Sequence, residues 1–290
     1  MKIALSTDTS CTINKDLAKD LNIFVFPLNV IVDGVEYLDG VTISQDELLA
    51  SMRGNKSIKT STPPPGDIIE YFKNIFAQGY DQIIHFTISS KLSSMNTLFN
   101  DISREYFDNK IIVIDSYSVC SLMLSHVLCA YEMLQNGKSP LEIKDEIEKR
   151  KEDSFVVFIP ENLKALKNGG RISPTIAALC NLIGIKPVLC FKDGALEKDS
   201  ITKNVKRTMH DKINELVQKF PKEDYDYTLV SFDCDESLIE FLKSELNIFL
   251  NGYQTAVLPI AINVCAHCGP GTFGLLVSKK FGKSLYDFIK

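Results

Sequence analysis

Gln82-Ile-Ile-His-Phe-Thr-Ile88 is an apolar run of strand length, and it is followed at once by the hydroxyl-rich stretch Ser89-Ser-Lys-Leu-Ser-Ser94. Helical periodicity then runs over residues 94–106, and a second apolar run, Lys110-Ile-Ile-Val-Ile-Asp115, comes next. Strand, loop, helix, strand is the unit from which α/β proteins with mainly parallel sheets are built.

The same alternation extends in both directions. Upstream, residues 2–8 read as a strand, 14–21 as a helix and 24–32 as a strand, with Asp33-Gly34 turning into a partner at 35–38. Ser44 and Glu47 form a capping-box signature for a helix over 45–53. Residues 54–65, polar and ending in three prolines, are expected to be an ordered loop that cannot be helical. Helices over 66–78, 119–135 and 141–152 complete a first series. A second series has strands at 155–159, 186–191, 225–232, 254–258 and around 273–277. Its helices lie near 161–167, 175–183, 203–220 and 237–250, with turns at 168–173 and 193–194. The expected organisation is therefore a two-lobed α/β fold, with mainly parallel sheets and helices packed on them. Residues 1–152 form one lobe, carrying the Thr60 and Ser93 loops; residues 153–290 form the other, carrying the Arg171 and His267 loops.

The whole-chain composition narrows the function. The 290 residues carry a formal net charge of -5, with 45% hydrophobic and 24% charged residues, the profile of a globular protein without the basic stripe a nucleic-acid backbone requires. The first eight residues are too short an apolar stretch for a secretory leader, and no run reaches the roughly 18 apolar residues of a membrane span. A cytoplasmic location is the expectation. The eight cysteines are scattered, several inside apolar runs, which suits buried free thiols in a reducing compartment.

The loops after strands carry the candidate chemistry. Thr7-Asp-Thr-Ser10, Lys59-Thr-Ser-Thr-Pro-Pro-Pro-Gly66, Ser89-Ser-Lys-Leu-Ser-Ser94 and Asp115-Ser-Tyr-Ser118 combine hydroxyls with turn formers, as helix caps and anion sites both do. Cys265-Ala-His-Cys268 lacks the second ligand pair that structural zinc requires, and it lies far from the first strand, where a redox CxxC would sit. No metal is expected. Ser93 and His267, with Asp8 as a possible orienting acid, are candidates for the nucleophile and base of a serine hydrolase. The glycines of a Gly-x-Ser-x-Gly elbow are absent around Ser93, and the chain contains no Walker loop.

Read in order, these motifs resemble the DegV family of bacterial fatty-acid-binding proteins that serve a fatty acid kinase. The resemblance runs through Asp8-Thr-Ser10, Thr60-Ser-Thr-Pro63, Ser89-Ser-Lys-Leu-Ser93, Asp115-Ser116, Leu166-Lys-Asn-Gly-Gly-Arg-Ile-Ser173, Lys186-Pro187, Asp193-Gly194 and Ala266-His-Cys-Gly-Pro-Gly271. Ser94-Met95-Asn96 stands where the family usually has Gly-Thr-Tyr, and Thr9 where serine is commoner. The resemblance implies a carrier with no catalytic residues and no cofactor. A long-chain fatty acid lies in its apolar pocket, with the carboxylate held by Thr60, Ser93 and His267. Ser61, Ser94, Arg171, Asp8 and Thr9 are implied as supporting or kinase-facing residues. Implied partners are the fatty acid, a separate fatty acid kinase that phosphorylates it to an acyl phosphate for phospholipid metabolism, and a membrane touched transiently for lipid exchange. Arg171 is open to a second reading, in which it holds neighbouring carbonyls or an acid.

Overall fold

The structure, a computed structural model, describes residues 1–150, 153–161, 163–178 and 184–289. The end of the helix expected over 175–183, Cys180 and the expected boundary at residue 152 lie outside the described residues.

The first half builds a parallel sheet. It contains β1 (Ile3–Asp8), α1 (Lys15–Asp20), β2 (Ile23–Phe26), β3 (Asn29–Val32), β4 (Val35–Leu38), α2 (Gln45–Arg53), β5 (Ile58–Ser61), α3 (Pro65–Phe76), β6 (Gln82–Thr87), α4 (Met95–Tyr106), β7 (Ile111–Asp115), α5 (Cys120–Gln135) and α6 (Pro140–Arg150). Strands β2, β1, β6 and β7 pair in that order, all parallel. The single strand expected over 24–32 is two strands in two sheets. Pro27 lacks the N–H that a continuous ladder needs, and the chain leaves the parallel sheet there to begin β3. Strand β3 is flanked by β4 and β5, both antiparallel. The β3–β4 turn has Asp33 and Gly34 at φ 50° and 84°, the pair of left-handed residues a two-residue hairpin demands.

The second half continues with β8 (Ser154–Ile159), α7 (Lys164–Gly169), α8 (Pro174–Ala177), β9 (Lys186–Lys192), β10 (Ala195–Thr202), α9 (Val205–Lys219), β11 (Tyr225–Phe232), α10 (Glu236–Phe249), β12 (Val257–Pro259), α11 (Ile262–Cys268) and β13 (Thr272–Lys279). Its six-stranded sheet has the order β10-β9-β8-β13-β11-β12. Here the α/β class holds, but the expectation of mainly parallel strands does not. All neighbours except β11 and β12 run antiparallel. The cause is connectivity: β9 and β10 are joined by a tight hairpin, and β13, the last strand, inserts between β8 and β11 against the direction of both.

Period-two alternation sorts the strand residues into two environments. In β8, Val156 and Phe158 face a core that also takes Val230 and Leu276, whereas Val157 and Ile159 face the core beneath α9 and α10 with Met209, Ile213, Leu242 and Leu246. In the parallel sheet, Ile83 joins the first of these cores, and Ile84 and Phe86 pack under α5 and α6 with Val127, Leu128, Ile143 and Ile147. One apolar core therefore receives side chains from both large sheets. Helix α5, buried continuously from Cys120 to Ala130, also contacts both sheets, and its Ser121 Oγ lies 2.8 Å from Thr228 Oγ1 on β11. Among the described residues no helix is long and apolar enough to cross a membrane.

Candidate functional site

The core shared by the two sheets is not filled. A partly enclosed cavity opens there. Most of its wall is apolar, from residues such as Leu28, Ile88, Val119, Phe158, Phe191 and Leu276, and the polar contributions come from Asn29, Thr60, Ser61, Ser93, Arg171, Asn263 and His267.

These residues arrive from separate parts of the chain: Asn29 on β3, Thr60 and Ser61 on β5, Ser93 between β6 and α4, Arg171 after α7, and Asn263 and His267 on α11. Thr60 lies on β5, opposite Val30, in the stretch expected to be a loop. Ser93 lies in the turn between β6 and α4, which is closed by bonds from the N–H groups of Leu92 and Ser93 to Ser89 O at 2.9 and 3.1 Å. The Ser93 Oγ accepts from Met95 N at 3.4 Å, leaving its own proton available to a ligand. His267 was expected in a loop but stands in the last turn of α11, which Gly269 ends at φ 74°. Asp39 supplies the N-terminal cap that α11's own sequence lacks, accepting from Asn263 N at 3.0 Å.

His267 Nε2 lies 2.8 Å from Thr60 Oγ1. On the other side of the ring, a Cβ built on Gly169 would stand 2.5 Å from His267 Nδ1, so the imidazole occupies the space that glycine leaves. Helix α7 ends at Gly170, in the left-handed region at φ 71°, which turns Arg171 back toward the site. The Arg171 Nε donates to Leu92 O at 3.2 Å and its Nη1 donates to Gly169 O. The guanidinium therefore ties the Ser93 turn to the segment that packs on His267. Among the described residues no carboxylate lies within ion-pair distance of Arg171.

Electrostatics follow from this arrangement. Burial, with the Arg171 charge beside it, pulls the His267 imidazole down to about 4, so it is neutral at physiological pH. A neutral imidazole, the hydroxyls of Thr60 and Ser93 and an unopposed guanidinium suit a bound anion better than a cation, whereas Ser61 Oγ donates to Glu36 Oε1 at 3.0 Å. Among the described residues no hydrogen bond joins Ser93 Oγ to His267, the contact a hydrolase would need; the imidazole meets Thr60 instead.

Not every residue singled out in the sequence lines the cavity. Thr60, Ser61, Ser93, Arg171 and His267 do. Ser94 is the exposed residue before α4 and makes no capping bond. Asp8 is fully buried and joins the ends of two strands, accepting from Ser10 N at 2.8 Å and Ile88 N at 2.9 Å. Thr9 Oγ1 accepts from Leu28 N at 3.2 Å. Asp8 and Thr9 thus brace the cavity from outside its wall. Asn29 and Asn263, which no loop motif pointed to, are in the wall itself. Cys265 and Cys268 are buried in α11, and burial holds the Cys265 thiol well above its ordinary range, the state of an inert packing residue. Among the described residues no three His, Cys, Asp or Glu side chains converge as metal ligands.

Comparison with known proteins places this architecture. A DegV domain-containing protein of Mycoplasmopsis pulmonis is 28% identical over 281 residues, covering 96% of each chain. A DegV family protein from Thermus thermophilus, whose structure is described as fatty acid binding, superposes with a TM-score of 0.85 at 26% identity over 96% of this chain and all of its own. A stearic acid-binding protein from Eubacterium ventriosum also gives a TM-score of 0.85, at 25% identity over 97% of this chain and 99% of its own. The family model described as an uncharacterised protein of the DegV family matches residues 2–280. A match of that extent, with relatives that align over nearly their full lengths, means that the chain belongs to the DegV family.

Proposed function

We propose that this chain is a carrier for a long-chain fatty acid, held with its carboxylate at Thr60, Ser93 and His267 and its tail along the apolar wall. The observation that carries the reading is the hydrogen-bonded Thr60–His267 pair in a cavity whose wall is otherwise mainly apolar. The Thermus and Eubacterium relatives, described as binding fatty acid and stearic acid, support the ligand class. The energetics agree. Each buried methylene contributes about 0.8 kcal/mol, so a tail of roughly fifteen supplies on the order of 12 kcal/mol before entropic costs. Each hydrogen bond to the charged head adds only about 1.5–3 kcal/mol. The tail sets affinity and the head sets orientation.

Orientation matters because, in this proposal, a separate fatty acid kinase phosphorylates the bound carboxylate to an acyl phosphate and this chain contributes no catalytic residue. Residues 1–152 and 153–290 would act as two units that share the cavity. The test is to load the chain with palmitic acid and add ATP and a fatty acid kinase known to work with a DegV relative. Acyl phosphate should form only when all components are present. Loaded chain that binds palmitate but never yields acyl phosphate would remove the presentation step and leave a storage or transport protein.

A further inference from the structure

Helix α11 carries a second polar group into the cavity. Asn263 and His267 are four residues apart, so they share one helix face about 6 Å apart along the axis, and both line the cavity. Asn263 is only 6% exposed. Its Nδ2 donates to Ser10 Oγ at 2.7 Å, while its Oδ1 is buried with no hydrogen-bond partner among the described residues. Turning the amide over would let Ser10 Oγ donate to Oδ1, and the orphaned group would then be the NH₂. Either way one polar atom of Asn263 is left unmatched, and a buried group in that state costs about 1–3 kcal/mol.

An unsubstituted hydrocarbon tail cannot satisfy it. A hydroxyl both donates and accepts, so it matches Asn263 in either orientation.

We propose that Asn263 is a second polar station in the cavity, one helical turn from the head-group residues, and that the preferred ligand is a fatty acid with a hydroxyl close to its carboxyl end. The inference rests on the carrier reading and narrows its ligand class. The rival occupant of the station is a single water, which a hydroxyl would displace without gain.

The experiment is competition binding on the full chain with palmitic acid, a series of hydroxypalmitic acids bearing the hydroxyl on carbons two to six, and the ω-hydroxy acid as a control for added polarity. At least one proximal hydroxy acid should bind about fivefold more tightly than palmitate, the ratio one net hydrogen bond supplies, and the ω-hydroxy acid should show no gain. Asn263→Leu, similar in size but without the amide, should lose that preference while still binding palmitate. If no proximal hydroxy acid outcompetes palmitate on the wild-type chain, the proposal is overturned whatever the variant does. It is also overturned if Asn263→Leu keeps the preference. If no acid of the series binds at all, the carrier reading itself fails and takes this inference with it, a result distinct from palmitate binding without a hydroxyl preference.

Discussion

Thr60 Oγ1 and His267 Nε2 lie 2.8 Å apart although 207 residues separate them in the chain. The strand β5 and the helix α11 that carry them pack directly on one another. The contact closes the polar end of a cavity to which both large sheets contribute, so its removal should be felt in ligand binding before it is felt in folding.

Thr60→Val keeps the shape of the side chain and removes its hydroxyl. Fatty acid affinity should fall about tenfold to a hundredfold, the range for one hydrogen bond to a charged group. Thermal stability should change little, because Thr60 is only half-buried on an edge strand. Titration calorimetry with palmitate alongside a thermal melt separates the two effects. Unchanged affinity would remove Thr60 from the head-group site.

Gly169 and Gly170 are adjacent but should fail differently. Gly169→Ala places a methyl 2.5 Å from His267 Nδ1, so it should weaken fatty acid binding by displacing the ring. Gly170→Ala meets nothing within 4 Å but forces a side chain into a left-handed backbone at φ 71°. It should cost about 1–2 kcal/mol of stability and lower the melting temperature by a few degrees with affinity intact. Equal effects of the two substitutions on affinity would contradict the packing of His267 on Gly169.

Arg171→Gln removes the charge that helps to hold His267 down. Burial remains, and it is the larger cause, so the imidazole should titrate above about 4 but still below its ordinary 6.5. Histidine NMR titration, assigned with a His267→Asn variant, reads this directly. A value that stays near 4 would show that the guanidinium is not beside the ring. A full return to 6.5 would show that burial was not the leading cause.

Asp39, which caps α11, should give a pH-dependent stability of defined sign. Burial pushes its carboxyl from 3.8 up to about 7, so its contribution is fully present below 3.8 and is lost as pH rises toward 7. Burial pulls His85 and His126 down to about 3, and they act in the opposite sense, costing stability as pH falls below 6.5. Both histidines are present in an Asp39→Asn variant, so they cancel in the difference. The variant should gain stability relative to wild type as pH rises from about 4 to about 7. A difference independent of pH would mean that Asp39 is ionised in the native protein throughout.

The α/β alternation was legible wherever a strand carries a run of apolar residues, as in β1, β6 and β7. What escaped were β5, β10 and α11. Strand β5 reads Ile-Lys-Thr-Ser in front of three prolines, and its pairing with β3 rather than its own composition makes it a strand. Strand β10 carries Glu197 and Lys198 exposed to water on the edge of its sheet and Asp199 paired with Lys212 Nζ at 2.9 Å. Helix α11 is seven residues long and is capped by Asp39, more than 200 residues away, so neither length nor a local cap announces it. That omission hid Asn263, because its four-residue spacing from His267 has meaning only once the segment is known to be helical. Thr60, Ser61, Ser93, Arg171 and His267 could be named from the DegV motifs; Asn29, the contact between Thr60 and His267 and the unpaired amide of Asn263 could not.

The most direct test of the carrier claim is native mass spectrometry of the full chain as isolated, and again after incubation with a mixture of long-chain fatty acids, followed by solvent extraction of what is bound. One fatty acid per chain should be recovered intact, with occupancy sharply reduced in a Thr60→Val, His267→Asn double variant that still melts cooperatively. A chain that stays at its bare mass after incubation would contradict the carrier claim, as would equal occupancy in the double variant.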